Sequence, residues 1–575
     1  MRTQRTTPNS PALRTRRTLR KLIGSASSAS SAVIILFCAG RSFAQGPVAR
    51  DPSRCTPQML TAPFAIDSGV AWNGWSPDAT NKRFQSAEQG GVSAAQVPNL
   101  KLKWAFGFPD TISAYAQPSV AGGRVFVGSQ NGIVYSLDAK TGCTYWTFRA
   151  QTAIRAAVTV GPRRTPAGER AYAVYVGDQS AHIYALDAQS GDLLWAHKVD
   201  DLPGSRITGA PTLYQDRLYV PVASSEEATA RDPKYACCKF RGSLVVLDVN
   251  GNVVWKTFTL PENAKPLGKT SAGTQRWGPS GAGIWSAPTI DSARKVVYVS
   301  TGNMYTEPQQ PTSDAVIAID LDTGKIKWTS QRLEKDVWIV GCPPAGTAPG
   351  VATASGVTTA TGGNCAANNA DIGPDFDLGD SPMLVRMANG RDAVVVGQKS
   401  GQAWALDPDK KGAVLWEYRA GRGGTLGGIE WGPAVDATNA YFAVSDFRLE
   451  NPGGLHAVNL VSGQRAWLTP APPPECNGPA PNCSGAQSAA ITVIPGIVFS
   501  GSVDGALRAY STTDGNIVWT FDANREFQTV NGVKANGASF GGGGPIVAGG
   551  MLFTNSGYGA PAGRAGNVLL AFGVE

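Results

Sequence analysis

The sequence predicts an all-β chain built as a closed ring of four-stranded antiparallel blades. Three observations carry that expectation: a hairpin unit recurs along the chain, a tryptophan closes most copies, and the composition suits a turn-rich β fold. There are 68 glycines and 39 prolines among 575 residues, 16% of residues are charged, and 42% are hydrophobic. That apolar content supplies a core and excludes disorder for most of the chain.

The unit reads as an alternating strand, a polar turn and a tryptophan. Residues 134–138 lead through Thr141-Gly142 to Trp146, 183–187 through Ser190-Gly191 to Trp195, and 244–248 through Gly251 to Trp255. Later copies end at Trp328, Trp416, Trp467 and Trp519. Period-two strands joined by such turns are hairpins, not helices. Another pair of short strands precedes most copies, such as 117–120 and 124–127, which makes four strands per copy and one propeller blade each.

Trp104, in the strand 100–104, has no repeat before it, whereas the last repeat (545–547, 551–554, 568–572) has no tryptophan. Pairing the two closes the ring and leaves no sheet edge free. The expectation is an eight-bladed β-propeller over 100–575, with seven blades as the alternative count, and an extension at 45–99 packed on it. Tryptophan spacings widen between Trp195 and Trp416, so the extra loop length there is where a site is sought.

Residues 1–44 read as an export signal. They carry eight Lys/Arg and no acid, then the apolar run 32–40 and Ser42-Phe43-Ala44 as a small-residue cleavage site. Thr15-Arg16-Arg17-Thr18-Leu19 resembles a twin-arginine signal, but Arg20 stands where an apolar residue is expected; the general export route is favoured, with an uncleaved anchor as the alternative. No later segment has the ~20 apolar residues that a membrane span needs. The mature chain holds 43 basic and 43 acidic residues, which removes the electrostatic case for nucleic-acid binding. A periplasmic or secreted location follows.

Eight cysteines remain beyond the leader, an even number in an exported chain, which implies disulfides. Cys342 with Cys365 and Cys476 with Cys483 each lie in one Pro/Gly/Ala-rich stretch, and elimination leaves Cys55 for Cys143. Cys237-Cys238 is the least ordinary feature, because a bond between neighbours closes a strained eight-membered ring of the kind found at ligand clamps. The alternative leaves each paired elsewhere or free. No Cys-x-x-Cys-His occurs, so no c-type haem is attached. Asn303 and Asp314, near strand ends, with Glu226 (Glu227 beside it) one blade earlier, offer oxygen ligands for a hard cation such as calcium; alone, each is an ordinary turn or surface residue.

Together these residues resemble the pyrroloquinoline-quinone (PQQ) dependent alcohol dehydrogenases. The matching segments are 207–211, Ser225-Glu226 with Arg241-Gly242, Ile284-Trp285 ahead of 300–303, Ser313-Asp314, Asp375-Phe376-Asp377 and Lys399-Ser400-Gly401. Within that family, 72–75, 81–85 and 235–242 are most similar to polyvinyl-alcohol dehydrogenases. The resemblance implies that Glu226 and Asn303 hold calcium together with PQQ, and that Asp314 is the base and touches the metal. It places Trp285 on one face of the quinone and the Cys237–Cys238 ring on the other, Thr208 at a cofactor carboxylate, Lys399 at the reactive carbonyl oxygen, and Trp431 in the cofactor pocket. PQQ carries three carboxylates, so cations should line its pocket, and Arg155 and Arg206 are the candidates. Departures from the family are Gly283 before the stacking tryptophan, Glu430 before Trp431, Tyr115 where an acid is frequent, the Cys pair after Glu226 in the same blade, and a 342–365 insertion.

The implied activity is oxidation of secondary hydroxyls, on a polymer such as polyvinyl alcohol, with electrons passed to a soluble cytochrome c or another acceptor. Two alternatives are a cofactor-free envelope scaffold and a PQQ enzyme acting on sugars, polyols or primary alcohols.

Overall fold

The computed structural model describes residues 53–66, 71–270, 272–342, 364–365, 372–447, 449–476, 482–559 and 563–574. The leader at 1–44 and most of the 342–365 insertion lie outside the described residues. Eight four-stranded antiparallel blades follow one another. Blade 1 is Ser119–Ala121, Arg124–Gly128, Ile133–Asp138 and Thr144–Arg149. Blades 2 to 8 begin at the strands Thr159–Arg164, Thr212–Tyr214, Thr289–Asp291, Met383–Arg386, Ala434–Val435, Thr492–Ile494 and Ile546–Ala548. These first strands are short and mostly buried, and the fourth strands alternate toward solvent. Blade 8 is completed by Lys101–Gly107, which pairs antiparallel with Val568–Gly573 and so closes the ring.

The tryptophans fasten each blade to the next. Seven indoles donate Nε1–H to a carbonyl of the following blade, from Trp146 to Ala188 (3.0 Å) round to Trp519 and Leu100 (3.2 Å). Six of these seven rings lie against the turn glycine of the neighbouring blade. Gly191 has φ +81°, and a Cβ there would stand 2.6 Å from Trp146, so the turn demands glycine both for its backbone and for the close approach. The tryptophans are packing groups, as their repetition implies.

Four disulfides join Cys55 to Cys143, Cys237 to Cys238, Cys342 to Cys365 and Cys476 to Cys483. Among the described residues no helix is long and apolar enough to cross a membrane.

One buried base in blade 6 makes stability depend on pH. His456 is 5% exposed and its Nδ1 meets the Tyr418 hydroxyl at 2.9 Å. Burial, helped by the charge of Arg465, pushes its pKa down from 6.5 to about 4. Between those values the unfolded chain binds the extra proton, so stability falls as pH falls through the window, by on the order of 3 kcal/mol. Urea melts of wild type and His456→Gln should show the wild type losing that much more on going from pH 7 to pH 4. Parallel pH profiles would refute the assignment.

Candidate active site

The residues entering the first strand of successive blades converge on the ring axis. Tyr115, Arg155, Thr208, Trp285 and Trp431 each stand a few residues ahead of such a strand, and with Trp75 they line a pocket partly open to solvent. Among the described residues Arg155 meets no carboxylate: its Nη2 donates to Tyr558 Oη at 2.9 Å, and its guanidinium lies 4.4 Å from the Trp431 ring centroid. That leaves a cation at the cavity wall, held by aromatic faces.

A cluster of acids around one lysine sits beside the cavity. Lys399 Nζ lies 2.5 Å from Asp377 Oδ2 and 3.2 Å from Asp375 Oδ1. Asp377 Oδ1 accepts the Asn303 backbone N–H at 2.8 Å. Gly302 lies between the cluster and Trp285, and a Cβ there would run into both Asp377 Oδ1 and Trp285 Nε1, so carboxylate and indole edge converge. Asp336 accepts the backbone N–H groups of Asp375 (3.0 Å) and Phe376 (2.7 Å), which fixes the loop that presents both acids. Glu227, Asn303, Asp314, Asp336, Asp375, Asp377 and Lys399 all belong to the stretch of widened spacing between Trp195 and Trp416.

The electrostatics show a surplus of negative charge. Burial works against the Lys399 ammonium, but Asp375, Asp377 and Glu227 outweigh it and hold its pKa well above the ordinary lysine value. Burial and the neighbouring Asp377 push Glu227 up to about 8, and burial takes Asp336 up to about 6. Asp314 and Asp375 are likewise driven well above the usual carboxylate range, by burial first and by the surrounding acids. Glu430, in place of the frequent Asn, is raised to about 7 by burial, with Lys399 and Arg155 pulling against it.

Several buried polar atoms here have no partner within the described protein: Thr208 Oγ1, Trp285 Nε1, Arg206 Nε, Asn303 Oδ1, Glu430 Oε2 and both carboxylate oxygens of Asp314. An orphaned buried polar group costs ~1–3 kcal/mol, so a concentration of them marks a ligand site. Hydroxyl, guanidinium and indole donors of this set suit a flat molecule bearing carboxylates and carbonyls, and the free Asn303 Oδ1 beside acids suits a hard cation. Among the described residues no three His, Cys, Asp or Glu side chains converge to hold a metal by themselves.

The structure separates residues that the sequence placed together. Glu226 is 1% exposed, and its carboxylate is taken up by Tyr235 Oη (2.9 Å), the Lys239 and Phe240 N–H groups (3.0 and 2.8 Å) and Ser280 Oγ (3.3 Å). It anchors the loop that carries Cys237–Cys238, whereas Glu227, one residue on, has its charge among the site acids. Asp314 and Asp377 are both buried, at 0% and 4% exposure; Asp377 meets Lys399 and the Asn303 N–H, whereas both carboxylate oxygens of Asp314 have no partner within the described residues. The Cys237–Cys238 pair is fully buried in a core with Ala282, Val337 and Trp338, and like Asn303, Asp377 and Lys399 it is not among the residues that line this pocket. Asp336 and Trp75 carried no role in the sequence reading. Trp75 had a signal, the 72–75 motif; Asp336 had none.

Such a ring, with a caged cation, a lysine between two aspartates and a flat aromatic wall on its axis, defines a cofactor-binding propeller enzyme. A family model described as "Glucose/ethanol/alcohol dehydrogenase, beta-propeller domain" matches residues 72–356, and one described as "Outer membrane protein assembly factor BamB" matches 241–482 and 451–573. A polyvinylalcohol dehydrogenase from a Pseudomonas sp. is 43% identical over 526 residues, covering 89% of this chain and 78% of that protein. Another, from Sphingopyxis sp. (strain 113P3), is 41% identical over 539 residues, covering 90% and 79%. The solved quinohemoprotein alcohol dehydrogenase from Comamonas testosteroni shares the fold at a TM-score of 0.60 and 17% identity, covering 91% of this chain and 83% of that one. The chain belongs to the PQQ-dependent alcohol dehydrogenase family and oxidises alcohols with PQQ. The assembly-factor match covers blades built on the same repeat.

Proposed function

We propose that the enzyme works with calcium on secondary hydroxyls of the polyvinyl-alcohol type and yields carbonyls. It is exported to the periplasm or beyond, and its electrons pass to a soluble cytochrome c or a similar acceptor. The substrate class is supported by the two polyvinylalcohol dehydrogenases at 43% and 41% identity. Export is supported by the basic leader with its apolar run, and by the disulfides. The observation that carries the chemistry is the convergence of Asp377, Lys399 and Asn303 at the edge of Trp285.

In this reading Arg155, Arg206 and Thr208 bind the cofactor carboxylates, and Trp285 gives it a flat wall, with Trp431 holding Arg155 in place. Bound PQQ supplies the acceptor for the hydride that leaves the carbinol carbon. Asp377 takes the hydroxyl proton as that C–H bond breaks, in place of Asp314, because it already meets Lys399 and the Asn303 N–H at the edge of Trp285. Lys399 places its ammonium where negative charge develops on a carbonyl oxygen. Asn303 Oδ1 and Glu227 are the protein's calcium ligands; Glu226 is left to the loop, since its oxygens already accept from four residues. The Cys237–Cys238 ring acts from within the core.

Two measurements test this reading. Protein supplied with PQQ and calcium should reduce an artificial dye with polyvinyl alcohol and secondary alkanols and be nearly inert with glucose; activity confined to glucose or primary alcohols would overturn the substrate class. Glu227→Gln should raise the calcium needed for half-maximal activity at least tenfold with an unchanged melting temperature. Glu226→Gln should do the reverse, losing about 2 kcal/mol of stability at unchanged calcium demand, because it disturbs a buried, fully bonded carboxylate. The opposite pattern would return the metal to Glu226.

A further inference from the structure

We infer that the N-terminal segment 72–90 is part of the cofactor site: it closes one end of the axial cavity, Trp75 forms that wall, and Arg83 is the positioning residue that holds Trp75. The inference rests on the reading of this cavity as the PQQ site.

The first strand of each propeller blade leaves an unpaired backbone edge on the axis, which must find a partner. The segment supplies partners in blade order. Trp72 exchanges two backbone bonds of 2.9 Å with Val120 of blade 1, and the Asn73 amide pairs with the backbone of Val160 in blade 2. Ala79, Thr80 and Lys82 then offer carbonyls to Ile290, Leu384 and Val435 of blades 4, 5 and 6. Arg83 and Gln85 bracket Val493 of blade 7, and Gln85 Nε2 donates to Val547 of blade 8 at 2.9 Å. A segment that meets blades in this sequence makes one lap of the axis, and side chains on its inner side project into the channel.

Trp75 is the one that lines the cavity. Its ring packs with Ala157, Ala210 and Ala287, each two residues beyond Arg155, Thr208 and Trp285 in three consecutive blades. The opposite edge of the ring lies against Gly432, where a Cβ would stand 2.8 Å away, directly after Trp431. Trp75 therefore touches the level just beneath four of the residues assigned to the cofactor.

Arg83 explains why Trp75 stays there. Its side chain is fully buried, and every hydrogen-bond partner is a neutral oxygen: Nη1 donates to Trp75 O (2.7 Å) and Gln117 Oε1 (2.6 Å), Nε to Ile491 O (2.6 Å), and Nη2 to Thr492 Oγ1 (3.2 Å) and Pro545 O (3.4 Å). Gln117 in turn donates to the carbonyls of Gly74 and Trp75. The guanidinium also lies 4.5 Å from the Trp75 ring centroid and 5.4 Å from that of Trp72. Burial lowers its pKa to about 9, so it stays cationic at neutral pH. A buried cation without an acid is costly. Here it clamps one residue by both carbonyl and ring, and it puts positive charge behind a pocket that takes an anion.

The test is equilibrium binding of PQQ, by dialysis and by fluorescence, at saturating calcium, with melting temperature measured in parallel. Trp75→Ala should weaken PQQ binding at least tenfold, Trp75→Phe about threefold or less, since a smaller flat ring restores part of the wall. Arg83→Lys should weaken it to the same degree as Trp75→Ala, because an ammonium cannot serve three directions at once. Folded Trp75→Ala and Trp75→Phe proteins that both bind PQQ with the wild-type constant would overturn the inference, even if their melting temperatures fall. Wild-type protein that takes up no PQQ would instead overturn the reading of the cavity.

Discussion

Asp377→Asn should lower kcat about a thousandfold, within the range a positioned general base contributes, while PQQ uptake stays at the wild-type level. The substitution keeps the shape of the side chain, and an amide oxygen still accepts the Asn303 N–H that Asp377 Oδ1 accepts at 2.8 Å. Lys399 keeps Asp375 at 3.2 Å as its counter-charge, so the cluster does not lose its only anion. What disappears is the ability to take a proton from the substrate hydroxyl. Asp314→Asn is the matched comparison, because the sequence alone points to Asp314 as the base. Its carboxyl has no exposed surface and lies in a field of acids that keeps its pKa well above the ordinary range. That variant should retain at least a tenth of wild-type turnover. A thousandfold loss in Asp314→Asn with near-normal Asp377→Asn would reverse the two roles.

Lys399→Met is expected to be damaging in two separable ways. Removing the ammonium leaves Asp375 and Asp377, at 3.2 and 2.5 Å from it, buried without a cation, a situation that costs roughly 3–5 kcal/mol. It also removes the positive group at the site of developing charge, for which a loss of about 10²–10³ in kcat is expected. The stability effect has a pH signature. Burial raises the Asp375 pKa far above its ordinary value even against Lys399, and without the lysine it rises further. At low pH Asp375 is protonated and needs no cation, so the deficit of the variant should be smaller at pH 5 than at pH 8. Thermal melts at the two pH values measure it; an equal deficit at both would mean that the lysine acts by packing alone.

Much of this was legible without coordinates, for identifiable reasons. The blade count followed from Trp-closed hairpins because a turn glycine and an indole meet at most junctions, which forces the local sequence to repeat. Thr208 and Trp285 were named from the family resemblance and Arg155 from the charge of the cofactor; the fold sets all three at one repeated position ahead of a first strand. Glu226 and Glu227 were not separable in the same way. Both lie in the single helical turn Glu226–Thr229, where adjacent side chains point in different directions, and only the folded loop at 235–240 shows which carboxylate is taken up. Asp314 and Asp377 each precede a strand, and nothing local distinguishes an enclosed acid from one that meets a lysine two dozen residues later. Asp336 lies in the connection between blades 4 and 5 with no motif around it. Its role, holding the Asp375–Phe376 backbone, exists only in three dimensions.

The account stands or falls on one flat, anionic ligand occupying the axial cavity. Titrating calcium-supplied apoprotein with PQQ, and following quenching of tryptophan emission, tests this most directly. One PQQ per chain should bind saturably, and Trp285→Ala should weaken that binding at least tenfold. Absence of saturable uptake, or unchanged affinity once the Trp285 ring is removed, would contradict it.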